Sequence, residues 1–348
     1  MYIKRTALIL ISIIAVVLTA CSDKQNSKDS FMIGIVSNSN GKNDSYLNSV
    51  AMKGITKFAN EENLKRNKAY KYIETTSSKK FKKKITKMAK ANYTLIIGIG
   101  SNLSNAMNSV AEKYKNVNFG VIDSSVDQPN VISVNFSEQD GSFLAGVIAA
   151  MKTKTNKVGF IGGANNEIIN RYKYGFISGV KSINKDIEVL TKYSKTFSDP
   201  KKGAEIAEDF YHQNVDIILP VTGLTAKGVF NTAKKIKHSN QGDVWVIGVD
   251  RNQYKQGLPE NVTLFSIVKE VDEAVYDLAR QVKSNQFHGG KTLIYGLNED
   301  GIKLIMANGN VDNKILMKVK DFREKISTGS LIVPSSKKEY NQFKDQIL

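Results

Sequence analysis

The feature that most constrains the fold is a regular alternation of short, apolar, β-branched runs with longer amphipathic stretches. Near-continuous apolar runs of this length are typical of strands that are buried on both faces of a parallel sheet. Two series of them occur, at 31–37, 93–100, 118–123 and 131–136, and then at 157–163, 187–190, 215–219 and 244–250. Amphipathic stretches that predict covering helices lie between them, at 44–60, 101–114, 141–153, 200–213 and 225–237. The alternation predicts an α/β protein with two doubly wound lobes in tandem.

Length and composition agree with two lobes and exclude several other classes of protein. A chain of 348 residues is long for one ordinary domain. The single Cys excludes a disulfide framework. No Gly-x-Ser-x-Gly elbow occurs, and the three histidines share no ligand spacing: His212, His238 and His288. We therefore expect a protein that is not an enzyme and that has no cofactor and no metal site.

The N-terminus has the pattern of an export signal. Lys4 and Arg5 precede an uncharged run at 6–20, which is too short to span a bilayer comfortably but fits the apolar region of a signal peptide. The run ends in Leu-Thr-Ala-Cys21, which resembles a bacterial lipobox. The sequence predicts a signal peptide at 1–20 and a lipidated Cys21 with a polar tether at 21–30. It places the protein on the extracytoplasmic face of a bacterial cell membrane. The alternative is an ordinary signal peptide with an unrelated Cys.

The charge balance is strongly basic, with 50 Lys and Arg against 33 Asp and Glu and a formal net charge of +17. Nucleic-acid binding is one explanation for such a charge. Export argues against it, and most of the lysines are dispersed, so we expect no nucleic-acid partner. The one dense run, at 79–84, is interpreted as a solvated surface. Outside a cell, such a basic shell would sit against anionic lipid or wall polymer.

A set of motifs, in order and spacing, resembles a known family. The motifs are Gly41-Lys-Asn-Asp-Ser-Tyr-Leu-Asn48, Gly120-Val-Ile-Asp123, Gly141-Ser-Phe-Leu-Ala-Gly146, Thr153 to Gly163, Phe197-Ser-Asp-Pro200, Val244 to Asp250 and Ser266-Ile-Val-Lys269. They resemble the basic membrane protein family of bacterial substrate-binding lipoproteins, and within it the PnrA-type purine nucleoside receptors. The likeness runs from the lipobox to about Leu304.

The resemblance implies the type I periplasmic-binding-protein fold, two α/β lobes joined by a three-segment hinge. The crossings are expected near 135–138, 250–253 and 289–292. The N-terminal lobe would then comprise 31–136 plus 251–290, and the C-terminal lobe 137–250 plus 291–348.

The resemblance also implies a function. It indicates a lipid-anchored solute-binding protein of an ABC importer, which binds a purine nucleoside between the lobes and has the permease and ATPase subunits as partners. The alternatives are a signalling or adhesion lipoprotein of the same fold, a sugar-binding receptor, and a nucleoside hydrolase.

Candidate ligand residues follow the strands, because ligands of open α/β sheets bind at the carboxyl ends of the strands. Asp250 and Asp123 are candidate ribose ligands, since carboxylates accept strong hydrogen bonds from hydroxyls; alternatively each caps the next turn. Lys269 would reach a hydroxyl or is an ordinary surface lysine. Tyr172 lies in the cleft or packs a helix. Gly223 would let the backbone approach the ligand.

Four further residues are candidates for contacts with the base. The resemblance places Asn43 and Asp44 against the base edge, although Asp44 is also a natural helix N-cap. Tyr46 and Phe197 would offer the two faces of an aromatic clamp. An ordinary core position is the alternative for Phe197.

Overall fold

The structure, a computed structural model, describes residues 31–38, 45–75, 77–100, 103–307 and 309–347. These residues form two six-stranded sheets, each with helices on both faces. The prediction of two doubly wound α/β lobes is therefore confirmed. The predicted leader, Cys21 and the tether lie outside the described residues. Within the ranges given above, no helix combines the length and the apolar character that crossing a membrane requires.

The first lobe is built on an all-parallel sheet with the strand order β11-β5-β4-β3-β1-β2. Its strands are β1 (Ile33–Asn38), β2 (Tyr70–Thr75), β3 (Leu95–Ile99), β4 (Asn118–Ile122), β5 (Val131–Phe136) and β11 (Lys291–Tyr295). Helices α1 (Ser45–Glu61) and α8 (Val271–Lys283) pack together on one face, and α2 (Ser78–Lys90) and α3 (Ser104–Ala111) cover the other.

The second lobe is built on a sheet with the order β12-β10-β9-β8-β6-β7, parallel except for β12. Its strands are β6 (Lys157–Gly162), β7 (Glu188–Tyr193), β8 (Ile217–Val221), β9 (Trp245–Asp250), β10 (Thr263–Lys269) and β12 (Ile302–Met306). Helices α4 (Glu138–Lys152) and α5 (Glu167–Ile183) cover one face, and α6 (Pro200–His212) and α7 (Ala226–His238) the other. Helices α9 (Asn313–Ser327) and α10 (Lys337–Ile347) pack on α4 and α5 respectively.

The strand pairing differs from the expected lobe boundaries. Strand β10 was expected in the N-terminal lobe, but it pairs with β9 in the second sheet, whereas β11 pairs with β5 in the first. Gln253 explains why the chain does not cross after β9. Its side-chain oxygen accepts from the Val249 N–H at 2.8 Å, and its own N–H donates to the Ser266 hydroxyl at 3.0 Å. These bonds keep the segment after β9 beside β9 and β10 in the second lobe.

Three segments therefore connect the lobes, at Ser137, at Glu270 and at 296–301. Only the first coincides with an expected crossing. The three segments lie side by side: the Ser137 N–H donates to the Tyr295 carbonyl at 3.2 Å, and the Glu270 N–H donates to the Gly301 carbonyl at 2.9 Å. We refer to these segments as the hinge.

Candidate functional site

Candidate residues of both lobes meet where the strands end. Asp123 directly follows β4 of the first lobe, while Asp250 and Lys269 end β9 and β10 of the second. Both aspartates have left-handed backbone angles, with φ of 59° at Asp123 and 66° at Asp250. Asp is among the few residues that tolerate this conformation, which turns the chain sharply out of the strand.

Lys269 joins the two lobes through an ion pair. Its Nζ lies 2.7 Å from Asp123 Oδ1 and 3.0 Å from Glu138 Oε1, and it sits 4.6 Å from the centroid of the Phe136 ring. Lys269 is only 3% exposed. Burial by itself lowers the pKa of this ammonium, but the carboxylates of Asp123, Glu138 and Asp250 outweigh burial and raise the pKa above its ordinary value. Lys269 is thus a buried, charged residue, so the surface alternative is wrong, while its contact with a ligand stays a prediction.

Glu138 is the carboxylate that sequence reasoning missed. It opens α4 at the hinge, it is fully buried, and its second oxygen accepts from Arg171 Nε at 2.7 Å. A buried carboxylate is tolerated only when it is paired, and Glu138 is shared by two cations. An acidic residue in the first turn of a helix looks like an ordinary dipole partner, so the sequence carries no signal for this role.

Tyr172 and Asp250 form a second polar contact in the same cluster. The Tyr172 hydroxyl donates to Asp250 Oδ1 at 3.3 Å, although the residue as a whole is 1% exposed. Its ring packs in the core while its hydroxyl contacts Asp250, and contact of Tyr172 with a ligand stays a prediction. Burial, reinforced by Asp250, raises the pKa of this hydroxyl, which therefore stays protonated as a donor.

Asp250 keeps unused capacity to accept hydrogen bonds. Burial raises the pKa of its carboxyl; Lys269 opposes that effect, and the nearby Asp123 and Glu138 add to it. Among the described residues, the Tyr172 hydroxyl is the one hydrogen-bond donor to its carboxylate. A ligand with hydroxyl groups at this strand end would supply the missing donors.

Phe197 forms an apolar surface further along the same edge of the second sheet. Its ring is 44% exposed, so the core alternative is wrong. The ring lies against Gly163 at the end of β6, where an added Cβ would come within 2.2 Å of it. Gly223, with φ of 59°, lies beside Phe197, and the Leu224 N–H donates a hydrogen bond to the Phe197 carbonyl at 2.9 Å. The two glycines therefore leave room for the ring at the strand ends.

As ligand contacts, all of the predicted residues stay predictions, and for three of them no side chain is described. Asn43 and Asp44 lie outside the described residues. Tyr46 falls in the first turn of α1, and its side chain is likewise outside them. In the part of the chain that the structure describes, no cluster of three or more His, Cys, Asp or Glu could hold a metal ion.

One cavity adjoins the site. It has a volume of about 370 Å³ and is lined by Lys53 of α1, by Asn252 and Ile305 of the second lobe, and by Lys269 and Glu270. A larger cavity of about 740 Å³ lies between α6 and α7, near Asp216 and therefore at the opposite edge of the second sheet. We assign the site to the strand ends because the charged cluster is there.

Comparisons with known proteins agree with this architecture. A family model named Bmp, described as ABC transporter substrate-binding protein PnrA-like, matches residues 33–337. The chain is 37% identical to a CD4+ T-cell-stimulating antigen of Listeria innocua, over 95% of this chain and 99% of that one. It is 36% identical to the ABC transporter nucleoside-binding protein BmpA of Lactococcus lactis, over 88% and 90% of the two chains. A solute-binding protein of an ABC transporter system from Aeropyrum pernix shares the fold, with a TM-score of 0.76 at 22% identity, covering 91% of this chain and 97% of that one.

Proposed function

The chain belongs to the Bmp family of ABC transporter substrate-binding proteins, and on that premise we propose that it binds a purine nucleoside between its lobes. The observation that carries the proposal is that two different surfaces lie side by side where the strands of the second sheet end. A charged, hydrogen-bonding part ends β9 and β10, and an exposed aromatic ring lies beside the end of β6.

The charged part has the chemistry that a ribose requires. Asp250 retains acceptor capacity for vicinal hydroxyls, and Lys269 is a charged donor beside it. Charge-assisted hydrogen bonds of this kind are roughly twice as strong as neutral ones. Asp123 holds Lys269 from the opposite lobe at 2.7 Å, so ligand contacts here would involve both lobes.

The aromatic part lies at a suitable distance for a base. Strand β8 separates β6 from β9, so the ends of those two strands are about 10 Å apart at the usual strand spacing. A nucleoside has a similar length, and its base could stack on Phe197 while its ribose lies at Asp250. A sugar alone would leave the exposed ring without a partner.

Binding would favour the closed arrangement of the lobes. Residues of both lobes lie at the site, and the three hinge segments are the only covalent connections between them in the described part of the chain. A ligand that contacts both lobes stabilises closure by its differential affinity for that state. The closed form would be presented to the permease and ATPase subunits, and a lipidated Cys21 would hold the protein at the membrane.

Titration calorimetry of the chain from residue 22 onward tests the proposal. We expect inosine, guanosine and adenosine to bind and ribose to bind about 5- to 150-fold more weakly, since stacking on an aromatic ring is worth about 1–3 kcal/mol per base. Ribose that binds as tightly as inosine would indicate a sugar receptor instead.

A further inference from the structure

The positive charge of the chain is concentrated in one part of the first lobe. Residues 65–115 contain 13 Lys and Arg but only two acidic residues, Glu74 and Glu112. This excess accounts for most of the formal net charge of +17. The segment comprises β2, α2, β3 and α3.

Many of these charges lie at the edge of the first sheet where its strands begin, not along a lateral edge strand. The turns before β1, β2, β3 and β4 are neighbours: Ile33 N–H donates to Ala69 O at 2.9 Å, Thr94 N–H to Met32 O at 2.8 Å, and Asn118 N–H to Thr94 O at 3.3 Å. The strands of this sheet are parallel, so this edge is opposite to the one that carries Asp123. We call it the basal edge; its exposed basic residues include seven from the segment 65–115, namely Lys65, Arg66, Lys68, Lys87, Lys90, Lys113 and Lys115.

These basal residues have no acidic partners of their own. Among the described residues, none of the seven forms an ion pair. Two nearby carboxylates at the end of α1 are already engaged, because Glu61 accepts from Tyr276 at 2.7 Å and Glu62 pairs with Lys283 at 3.3 Å. The uncompensated charge repels itself, so an anionic partner would relieve it.

The N-terminal connection points to the identity of that partner. Phe31 and Met32 enter the fold at the basal edge. The polar stretch from 22 to 30 separates this edge from Cys21, and nine residues span at most about 30 Å when fully extended. An anchor at Cys21 would hold the basal edge close to the lipid surface, where basic residues attract anionic headgroups.

We propose that the basal edge binds the anionic phospholipid headgroups of the membrane. The proposal rests on the proposed function only for the lipid anchor, which supplies proximity; the electrostatic contact itself needs no lipid on the protein. The sequence-based interpretation of the run at 79–84 as solvated surface remains compatible, because only the last turn of α2 lies at the basal edge.

The test measures binding of the unlipidated chain from residue 22 onward, which contains both sheets, to sedimented vesicles. We expect binding to vesicles with about one third phosphatidylglycerol, no binding to pure phosphatidylcholine, and release in about 0.5 M salt. A variant with four basal lysines changed to glutamine should bind more than about tenfold more weakly, since each lost charge weakens the attraction to the anionic surface. The four changes are Lys87→Gln, Lys90→Gln, Lys113→Gln and Lys115→Gln.

A matched control removes four exposed, unpaired lysines of α9 and α10 in the second lobe. The four control changes are Lys314→Gln, Lys320→Gln, Lys337→Gln and Lys338→Gln. Equal loss in the control would overturn the proposal, because net charge rather than the basal edge would then control binding. Equal binding of the unchanged chain to both kinds of vesicle would also overturn it. So would displacement by soluble poly(glycerol phosphate) at equal phosphate concentration, which would identify wall polymer as the partner. Both variants should bind nucleosides as the unchanged chain does, so a failure here is separable from a failure of the nucleoside assignment.

Discussion

Asp250 and Lys269 end neighbouring parallel strands, and this alone brings a carboxylate and an ammonium to one edge of the second sheet. Their position could be predicted from sequence because each closes an apolar run. The partners of Lys269 could not all be predicted. Glu138 and Arg171 reach the cluster through the packing of α4 on α5, which no local pattern encodes.

Replacing Asp250 tests the ribose contact. Asp250→Asn keeps the shape of the side chain but removes a charged acceptor worth roughly 1.5–3 kcal/mol, so nucleoside affinity should fall about 10- to 150-fold in calorimetry. Deoxynucleosides should bind the original chain weakly and lose little more in the variant. Asp186→Asn, an exposed change at the opposite edge of the same sheet, is the control. Equal affinity of Asp250→Asn and the original chain for inosine would make Asp250 structural.

Replacing Phe197 tests the stacking contact. Phe197→Leu retains much of the volume but loses the planar face, so nucleoside affinity should fall by about 1–3 kcal/mol while ribose binding is unchanged. The ring is 44% exposed, so the free energy of unfolding should change by less than about 1 kcal/mol. Phe230→Leu, at a fully buried position in α7, should do the reverse and lower stability with affinity intact. Loss of stability without loss of affinity in Phe197→Leu would contradict the assignment.

Replacing Glu138 tests the buried ion cluster. Glu138→Gln leaves Arg171 and Lys269 without their shared carboxylate, and removing one partner of a buried pair typically costs about 3–5 kcal/mol. Glu167 also pairs with Arg171, but its side chain is 88% exposed, so Glu167→Gln should change stability by less than about 1 kcal/mol. Urea unfolding of both variants measures the difference. Similar stabilities would show that Glu138 is not needed to hold the cluster.

At the scale of whole elements, sequence analysis predicts every interior strand of the two described sheets except β10, but of their four edge strands it predicts β7 alone. Every residue of β3 and of β8 is buried, and both appear as apolar runs. Strand β2 at one edge of the first sheet and β11 at the other are largely polar or exposed, and both escape sequence analysis. Sequence analysis also places one crossing between the lobes after β9, whereas the chain crosses after β10. The contacts of Gln253 keep the chain in the second lobe after β9, and no change in hydrophobicity along the sequence marks this position.

Asp140, in the first turn of α4, should make the free energy of unfolding depend on pH. Burial, with the carboxylates of Glu299 and Glu138, raises the pKa of Asp140 from 3.8 to about 6, although a hydrogen bond with Ser137 works the other way. The folded state therefore binds this proton more tightly, so the resulting stability is present below about pH 4 and is lost as the pH rises through 6.

Asp140→Asn should remove this dependence. We expect the variant to be more stable than the original chain at about pH 7.5, on the order of 1–2 kcal/mol, with the difference shrinking toward about pH 4. Urea titrations across that range measure it, with Asp186→Asn as the control. A variant that is less stable at neutral pH would mean that Asp140 stabilises the helix start more than its neighbours repel it.

At the scale of the whole molecule, the two lobes share one plan, but the chain passes between them three times. Lys269 sits where the second crossing begins and pairs with the first lobe through Asp123. If a ligand contacts Lys269 as proposed, it acts on the same side chain that joins the lobes, and binding is then coupled to closure. The resemblance predicts the number of crossings. The positions of the second and third crossings become clear only from the pairing of the strands.

The proposed lipid anchor is a separate matter at the scale of the whole chain. Cys21 is the only thiol in the sequence, so Cys21→Ser should abolish incorporation of labelled fatty acid while Ser22→Ala leaves it unchanged. Nucleoside affinity of the folded body should be the same in both variants. Labelling that persists in Cys21→Ser would exclude the lipobox.

The most direct test of the nucleoside assignment is a crystal structure of the protein grown with inosine. We expect electron density between the lobes, with ribose hydroxyls within hydrogen-bonding distance of Asp250 and Lys269 and with the base stacked on Phe197. A nucleoside bound elsewhere, or one whose ribose points away from Asp250 while Phe197 faces solvent, would contradict the account.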